Sequence, residues 1–207
     1  MYIERMRRTR GAAEETRVAL RDAAIEVFAQ RGYAAARLEE IAERAGVTRG
    51  ALYHHFVDKA GLYSAAIGDV WWEVTAPIFA ELEGDGSALE RLERFVVAYI
   101  CAIEENPRFR DLLSIVTLKT EALPELSSGI AEKQRAIRDW VDGLETLLAA
   151  ALAADELRAG LEPRDAALIV VCFVNGVTTT AIASPGLFSA SAAAPSMARA
   201  LIAGFAR

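Results

Sequence analysis

Apolar side chains recur three and four positions apart along almost the whole chain, a spacing that places them on one face of a helix. No segment combines turn signals with the alternating apolar and polar residues of a half-buried strand. The pattern therefore predicts an all-α fold. Nine helices are expected, over residues 16–31, 37–45, 48–56, 59–83, 87–105, 107–120, 126–155, 163–183 and 195–206.

Short polar residues and glycines stand where these helices are expected to begin and end. Thr16, Asp58 and Asn106 can accept hydrogen bonds from the free N–H groups of a first turn. Gly32 supplies a stop for the first helix, and Gly46 permits the left-handed backbone of a sharp turn. These residues predict the breaks between the first four helices and the start of the sixth.

The second and third predicted helices, joined by the Gly46 turn, have the arrangement of a helix-turn-helix. In that motif the second helix enters the DNA major groove by its N-terminal residues. Thr48 can cap this helix, and Arg49 has the reach to contact a guanine edge or a phosphate. The small residues Gly50 and Ala51 would allow close approach to the groove floor.

Further side chains extend this predicted DNA surface. Tyr53, His54 and His55 follow on the same helix, where they can contact the sugar-phosphate backbone. Lys59 begins the next helix beside free backbone N–H groups, which attract phosphate. Adjacent histidines point about 100° apart on a helix, and no Cys, Asp or Glu completes a site at ligand spacing, so we expect no metal.

Charge is distributed unevenly along the 207 residues. Residues 1–60 hold 11 Lys/Arg and 9 Asp/Glu, a net charge of +2, whereas the remaining 147 hold 12 and 20, a net charge of -8. A local basic face is sufficient for DNA binding, so the overall charge of -6 does not exclude it. Arg5, Arg7, Arg8 and Arg10 form either a DNA-contacting arm or a solvated tail, and the sequence leaves both readings open.

The composition, with 53% hydrophobic and 25% charged residues, is that of a globular protein and excludes a disordered one. Asn175 and three threonines interrupt the most apolar stretch, 166–183, so no membrane-spanning helix is expected. Cys101 and Cys172 lie in apolar segments and are expected to be reduced core residues of a cytoplasmic protein. No HExxH, GxGxxG or GxSxG motif occurs, so we expect neither an enzyme nor a cofactor.

Residues 16–62 resemble the DNA-binding domain of the TetR family of bacterial transcriptional repressors. The shared features are RGY after the first helix, then IAERAGVTRGALY, HF and DKAGL. The VTRGALY stretch is similar to the branch of multidrug-efflux regulators that includes AcrR. Many members carry a threonine pair where this chain has Ala36 and Arg37, so Arg37 either replaces the phosphate contact by charge or is solvated. The expected DNA contacts are Thr16, Arg37, Thr48, Arg49, Gly50, Ala51, Tyr53, His54, His55 and Lys59.

The resemblance implies a DNA-binding domain over residues 1–58 and a ligand-binding and dimerisation domain over 59–207. In this family the fourth to eighth helices enclose a ligand cavity. The candidate lining carries no charged group, which predicts a small apolar or aromatic effector of low net charge. Ordinary core packing explains any single one of these residues equally well. The candidate lining is Trp71, Phe95, Tyr99, Leu113, Thr117, Trp140, Val174, Asn175 and Thr178.

Residues 165–183 are apolar around nearly the whole circumference of the predicted helix, so they need cover on more than one side. A partner subunit would supply it, giving the four-helix dimer interface known in the family. We expect a homodimer on a near-palindromic operator, with half-sites about 34 to 36 Å apart. The alternatives are a regulator without an effector and, less favoured, a small all-α enzyme on a hydrophobic substrate. The candidate interface is Ala166, Val170, Phe173, Val177, Met197, Leu201 and Phe205.

Overall fold

The computed structural model describes the backbone of residues 2–119 and 124–207, and the side chains of 11–119, 125–127 and 129–207. Within these ranges the chain forms nine α-helices and two 3₁₀ turns, and its β-pairing is limited to an isolated bridge between Leu157 and Ala206. The predicted all-α fold is confirmed. The helices are α1 (Tyr2–Ala35), α2 (Leu38–Arg44), α3 (Arg49–His55), α4 (Lys59–Phe79), α5 (Ala88–Glu105), α6 (Pro107–Leu118), α7 (Ser127–Ala153), α8 (Pro163–Ala183) and α9 (Ala190–Ala203).

Side-chain caps define several of these helix starts. Asp58 accepts a hydrogen bond of 2.7 Å from an N–H in the first turn of α4, and Asn106 accepts one of 3.1 Å in α6, as predicted. At α5, Ser87 accepts from the backbone N–H of Glu90 while the Glu90 carboxylate accepts from the N–H of Ser87. These bonds satisfy N–H groups that have no partner inside the helix.

The predicted start of the first helix at Thr16 was wrong. The helix α1 begins at Tyr2, because residues 2–15 contain no proline and are rich in Glu, Arg and Ala, which favour helix. Thr16 therefore lies inside the helix, and its hydroxyl donates to the carbonyl oxygen of Ala12 at 2.9 Å. The predicted break at Gly32 is confirmed, since this residue leaves the helical conformation with φ 75° and ψ 166° and kinks α1 before its last three residues.

The predicted start of the last helix at Pro195 was also wrong, since α9 begins at Ala190 and Pro195 lies inside it. Ser189 caps this helix with its side-chain oxygen. The carboxylate of Glu104, on α5, accepts from the Ser189 hydroxyl at 3.0 Å and from the Ser191 N–H at 2.9 Å. The bond from the Ser191 backbone and then that from Ser189 lower the pKa of Glu104, because both favour the charged carboxylate.

The chain divides into two compact units, Met1–Glu73 with Asp111–Leu126, and Val74–Arg110 with Ser127–Arg207. The predicted DNA-binding domain, residues 1–58, lies wholly within the first unit. The helices α4 and α6 contribute residues to both units. The first unit therefore contains more than the three N-terminal helices.

Three aromatic rings form the centre of the first unit. The ring centroids of Phe28, Tyr33 and Tyr63 lie 5.2 to 5.8 Å apart in stacked and edge-on pairs. Burial, followed by the negative charges of Glu125 and Asp58, raises the pKa of Tyr33 to about 12. The same unit contains fully buried aliphatic side chains, namely Leu20, Val27, Ile41, Leu52, Leu62 and Ala66.

In the second unit α5 packs against α9, and α7 packs against α8. Of the described helices, α8 is long and apolar enough to cross a membrane by length and composition, so Asn175 and the threonines do not exclude a span on that criterion. Apolar helices in the core of soluble proteins meet the same criterion. Only 39% of its most apolar stretch is buried, so a large part of this helix is accessible in a single chain.

Candidate DNA-contact surface and sensor core

The turn before α3 orients the predicted recognition helix. Gly46 has a φ of 68°, in the left-handed region that favours glycine, as predicted. The Thr48 hydroxyl oxygen accepts from the N–H of Ala51 at 3.2 Å, which confirms the predicted cap. Leu52 is fully buried and anchors the helix. The other residues of α3 are exposed at Arg49, Gly50, Tyr53 and His54 and half-buried at Ala51 and His55.

Arg49 is held by residues of both helices in the motif. Its Nη1 lies 3.0 Å from a carboxylate oxygen of Glu39, on α2, and its Nη2 lies 3.4 Å from the Tyr53 hydroxyl. The Tyr53 hydrogen bond and then the charge of Glu39 raise the pKa of the Arg49 guanidinium. Sequence reasoning missed Glu39, although an acidic residue in the first turn of α2 was a visible signal.

Gly50 is surrounded by open space. A Cβ atom added there would meet only the Thr48 hydroxyl, at 3.9 Å. Packing within the described chain therefore does not require glycine at this position. A residue that lacks a side chain next to Arg49 is consistent with a surface that another molecule approaches closely.

Arg37 occupies the position before α2, in an extended conformation, and its side chain makes no cap hydrogen bond. Arg37 is exposed, so both alternatives left open by the sequence, a contact with a DNA phosphate and a solvated side chain, are still possible. The Thr16 hydroxyl is bonded inside α1, so Thr16 does not act as a helix cap there. The side chains of Arg5, Arg7, Arg8 and Arg10 lie outside the described residues.

The Lys59 ammonium caps the C-terminal end of α1. It donates to the carbonyl oxygens of Tyr33, Ala34 and Ala36 at 2.8, 3.2 and 3.2 Å, and it lies 4.4 Å from the Tyr33 ring centroid. An ammonium has three donors, so all of them are used within the chain. We therefore assign the side chain a structural role and restrict the predicted phosphate contact to the backbone at the start of α4.

Lys119, the residue that follows α6, contacts the last two turns of α1 within the first unit. The Lys119 ammonium donates to the carbonyl oxygen of Ala29, and the Lys119 carbonyl accepts from the N–H of Tyr33 at 3.4 Å. A Cβ atom at Gly32 would lie 3.6 Å from the carbonyl oxygen of Lys119. Lys119 thus joins α6 to the helix that supports α2 and α3.

Five aromatic side chains form a cluster in the second unit. Phe95, Tyr99 and Trp140 have centroids about 6 Å apart, with Phe79 and Phe109 packed on either side. Burial raises the pKa of Tyr99 to about 12, because a charged phenolate is disfavoured in apolar surroundings. The Trp140 indole N–H is buried and has no hydrogen-bond partner among the described residues. This aromatic cluster is strongly apolar, with an unused donor.

The nine predicted lining residues are divided between the two units. Trp71, Leu113 and Thr117 belong to the first unit, and the other six belong to the second. Thr117 and Asn175 are exposed, so their assignment to an enclosed lining was wrong; the Asn175 amide donates to the Val171 carbonyl of α8 at 2.8 Å. Those that remain buried or half-buried in the second unit are Phe95, Tyr99, Trp140, Val174 and Thr178.

The predicted dimer residues on α8 fall largely on its inner side. Ala166, Val170 and Val177 are buried within the single chain, as is Phe205, so they are not free to meet a partner. Half-buried positions are Phe173, Met197 and Leu201. Cys172, predicted as a core residue, is exposed. The outer face of α8, defined by exposed side chains and glycine, consists of Leu168, Ile169, Cys172, Asn175, Gly176, Thr179 and Thr180.

Two family models match the chain. The model described as "Bacterial regulatory proteins, tetR family" matches residues 20–66, and "MAATS-type transcriptional repressor, C-terminal region" matches residues 87–206. The first match contains α2 and α3, and the second contains α7 to α9. The matches therefore extend over the helix-turn-helix and over every residue of the aromatic cluster except Phe79.

Comparisons with individual proteins agree with the family models. The chain is 31% identical to the HTH-type transcriptional regulator AcrR of Shigella flexneri over 188 residues, 88% of this chain and 85% of AcrR. NalD, the secondary repressor of the MexAB-OprM multidrug efflux pump in Pseudomonas aeruginosa, superposes with a TM-score of 0.81 at 26% identity, covering 95% of this chain and 98% of NalD. The complex of SmeT, from Stenotrophomonas maltophilia, with triclosan gives a TM-score of 0.77 at 28% identity, covering 93% and 92%. The chain belongs to the TetR family of bacterial regulatory proteins and is a transcriptional repressor of that type.

Proposed function

We propose that this repressor binds a near-palindromic DNA operator as a homodimer and releases it when a small apolar or aromatic effector binds in the second unit. The observation that carries the proposal is the arrangement of α2 and α3. There a capped helix, anchored by buried Leu52, exposes Arg49, Gly50 and Tyr53 together. Such a regulator acts in the cytoplasm and needs no cofactor.

Each exposed residue of α3 suits a different part of the DNA. The Arg49 guanidinium can donate two hydrogen bonds to one guanine edge, a contact worth about 1 to 3 kcal/mol of discrimination. Gly50 permits close approach of the helix backbone, and the Ala51 methyl can touch a thymine methyl. Tyr53 and His54 are exposed one turn further on, where hydroxyl and imidazole groups can bind phosphate.

The double variant Arg49→Ala with Tyr53→Ala tests the DNA surface. We expect gel-shift binding to the operator to be lost while the circular dichroism spectrum stays that of the wild type. Gly50→Leu is a second test, because the free protein has room for the side chain but a groove contact does not. Arg138→Ala, at an exposed position of α7, is the matched control and should bind normally. Unchanged operator binding by the folded double variant would contradict the proposal.

The accessible outer face of α8 supports a dimer. Leu168 and Ile169 are 44% and 43% exposed, an unusual position for large aliphatic side chains on an isolated helix face. A second copy related by a two-fold axis would cover this face, together with half-buried Met197 and Leu201 of α9. The two recognition helices would then meet half-sites about 34 to 36 Å apart.

A matched pair of leucines tests this interface. Leu168→Glu places a charge on the outer face of α8, and we expect a monomer by analytical ultracentrifugation and weaker operator binding. Leu152→Glu, on α7, changes a leucine of similar exposure, 46%, and should leave the dimer intact. Dimers in both variants would rule out the α8 face.

The aromatic cluster of the second unit supports an effector that is apolar and uncharged. Surroundings that raise the pKa of Tyr99 disfavour a ligand charge for the same reason that they disfavour a phenolate. Thr178, on α8, is almost completely buried beside this cluster. A polar group of the effector that had no hydrogen-bond partner there would carry a high free-energy cost. The complex of SmeT with triclosan supports a small-molecule effector for this chain also.

Thr178→Trp tests the effector site by filling it. We expect the variant to bind the operator but to resist release by uncharged aromatic compounds, with triclosan as the first probe. Thr146→Trp, at an exposed threonine of α7, controls for the added indole. Release of the Thr178→Trp variant at wild-type concentrations of the compound would count against this site.

Release requires that the effector favour one arrangement of the recognition helices over another. The helices α4 and α6 have residues in both units. Lys59 of α4 and Lys119, which follows α6, both donate to carbonyl oxygens of α1. Displacement of either helix would therefore move the support of α2 and α3. A population change from 1:99 to 99:1 needs an effector preference of about 5.5 kcal/mol.

A further inference from the structure

Arg49 is restrained before any DNA arrives, although 62% of its side chain is exposed. Glu39 accepts from one terminal nitrogen at 3.0 Å, and the Tyr53 hydroxyl lies 3.4 Å from the other. The guanidinium carbon also lies 5.5 Å from the Tyr53 ring centroid, a cation–π contact. The side chain proposed to read DNA is thus held from two helices.

Glu39 and its neighbour Glu40, both on α2, pair with arginines of different helices. Glu40 pairs with Arg31 of α1, with an Nε to Oε1 distance of 3.5 Å, whereas Glu39 pairs with the recognition helix. Glu39 is 54% exposed, so it lies on the same surface as Arg49. A carboxylate on a surface that binds DNA repels the phosphate groups, whatever the base sequence. The repulsion between the Glu39 carboxylate and DNA is weakest while the positive charge of Arg49 stays paired with it.

The number of N–H donors on the Arg49 guanidinium determines whether Arg49 stays paired with Glu39 when it binds DNA. Arginine has five N–H donors, and Glu39 and Tyr53 use two of them. A guanine edge accepts two, at O6 and N7, so Arg49 can bind guanine and keep Glu39. A phosphate competes with the carboxylate for the same charge. If Arg49 turns to a phosphate, the charge of Glu39 is left unpaired beside the DNA.

We propose that Glu39 is a specificity-determining residue, which holds Arg49 available for a guanine edge and weakens the contacts of Arg49 with phosphates at non-operator sites. This inference rests on the proposed function, because it assumes that α3 enters the major groove. It predicts a change in the ratio of specific to non-specific affinity.

The test compares Glu39→Gln with Glu40→Gln. The specific probe is the tightest duplex that the wild type selects from a library of random sequences, and the non-specific probe is a scrambled duplex of the same composition. Affinities for both are measured by fluorescence anisotropy at several salt concentrations. Both variants remove one negative charge, so both should bind DNA more tightly in general. Only Glu39→Gln should lower the specificity ratio, by about three- to fivefold, the size of one exposed ion pair.

A double-mutant cycle with Arg49→Ala completes the test. In that background Glu39→Gln should leave the specificity ratio unchanged, because the pair no longer exists. The inference is overturned if Glu39→Gln keeps the wild-type ratio, or if it lowers the ratio equally without Arg49. A wild type that prefers no selected duplex over the scrambled one would instead refute the proposed function itself. Melting temperatures verify that each variant is folded.

Discussion

Replacing Lys59 by methionine removes the ammonium that caps α1 and keeps most of the side-chain volume. The bonds to the carbonyls of Tyr33 and Ala36 are partly buried, whereas the Ala34 carbonyl is exposed and can bind water instead. A hydrogen bond to a charged group contributes about 1.5 to 3 kcal/mol, and a cation at a helix C-terminus about 0.3 to 1. Because these contributions overlap, we expect Lys59→Met to lower the free energy of unfolding by about 2 to 4 kcal/mol.

The measurement is the melting temperature followed by circular dichroism. For a chain of this size each kcal/mol shifts the midpoint by about 2 to 4 °C, so a decrease of about 4 to 16 °C is expected. Arg135→Met, at an exposed position of α7, is the matched control and should melt with the wild type.

The same variant separates the structural role of Lys59 from a phosphate contact. If the ammonium bound phosphate and did not cap α1, Lys59→Met would melt normally and would reduce the salt dependence of operator binding by about one ion per protomer. An unchanged melting temperature, with or without that change in salt dependence, would refute the capping role.

Three further predictions concern stability and are checked by the same melting experiment. Ser87→Ala removes half of the capping box of α5 and should cost about 1 kcal/mol; an unchanged midpoint would contradict the cap. Gly32→Ala forces a side chain into the conformation at φ 75°, ψ 166°, and should cost about 1 to 3 kcal/mol; wild-type stability would show that the turn relaxes easily. The lowered pKa of Glu104 means that its carboxylate stabilises the fold above the ordinary glutamate pKa of about 4.3, and that this contribution is lost as the pH falls through the folded value. Glu104→Gln should therefore melt below the wild type at neutral pH, with a difference that shrinks on acidification; a constant difference would exclude the titration of Glu104.

Local signals predicted the helix-turn-helix accurately because its geometry depends on neighbouring residues. Gly46 and Thr48 act through their own backbone and a bond three residues away, so their roles are visible in the sequence. The same holds for the caps at Asp58 and Asn106. Where a second signal competed, the prediction failed: Pro195 suggested a helix start, but Ser189 caps the helix earlier.

The partners of charged side chains were not visible in the sequence. The position of Lys59 at a helix start predicts phosphate binding, yet its ammonium donates hydrogen bonds to carbonyl oxygens 23 to 26 positions away. Glu39 and Arg49 are ten positions apart, and only the packing of α2 on α3 brings them within 3.0 Å. The contact of Lys119 with Ala29 spans 90 positions.

The sequence by itself determined the helical fold, the turn that positions α3 and the membership of the family, because all three follow from periodicity and from short motifs. The tertiary structure decided which stripe of α8 is accessible, which carbonyls accept hydrogen bonds from Lys59 and Lys119, and which carboxylate pairs with Arg49. An apolar circumference does not record which side its neighbours cover. Hydrogen-bond partners far apart in the chain are likewise chosen by packing, which acts only after the helices have come together.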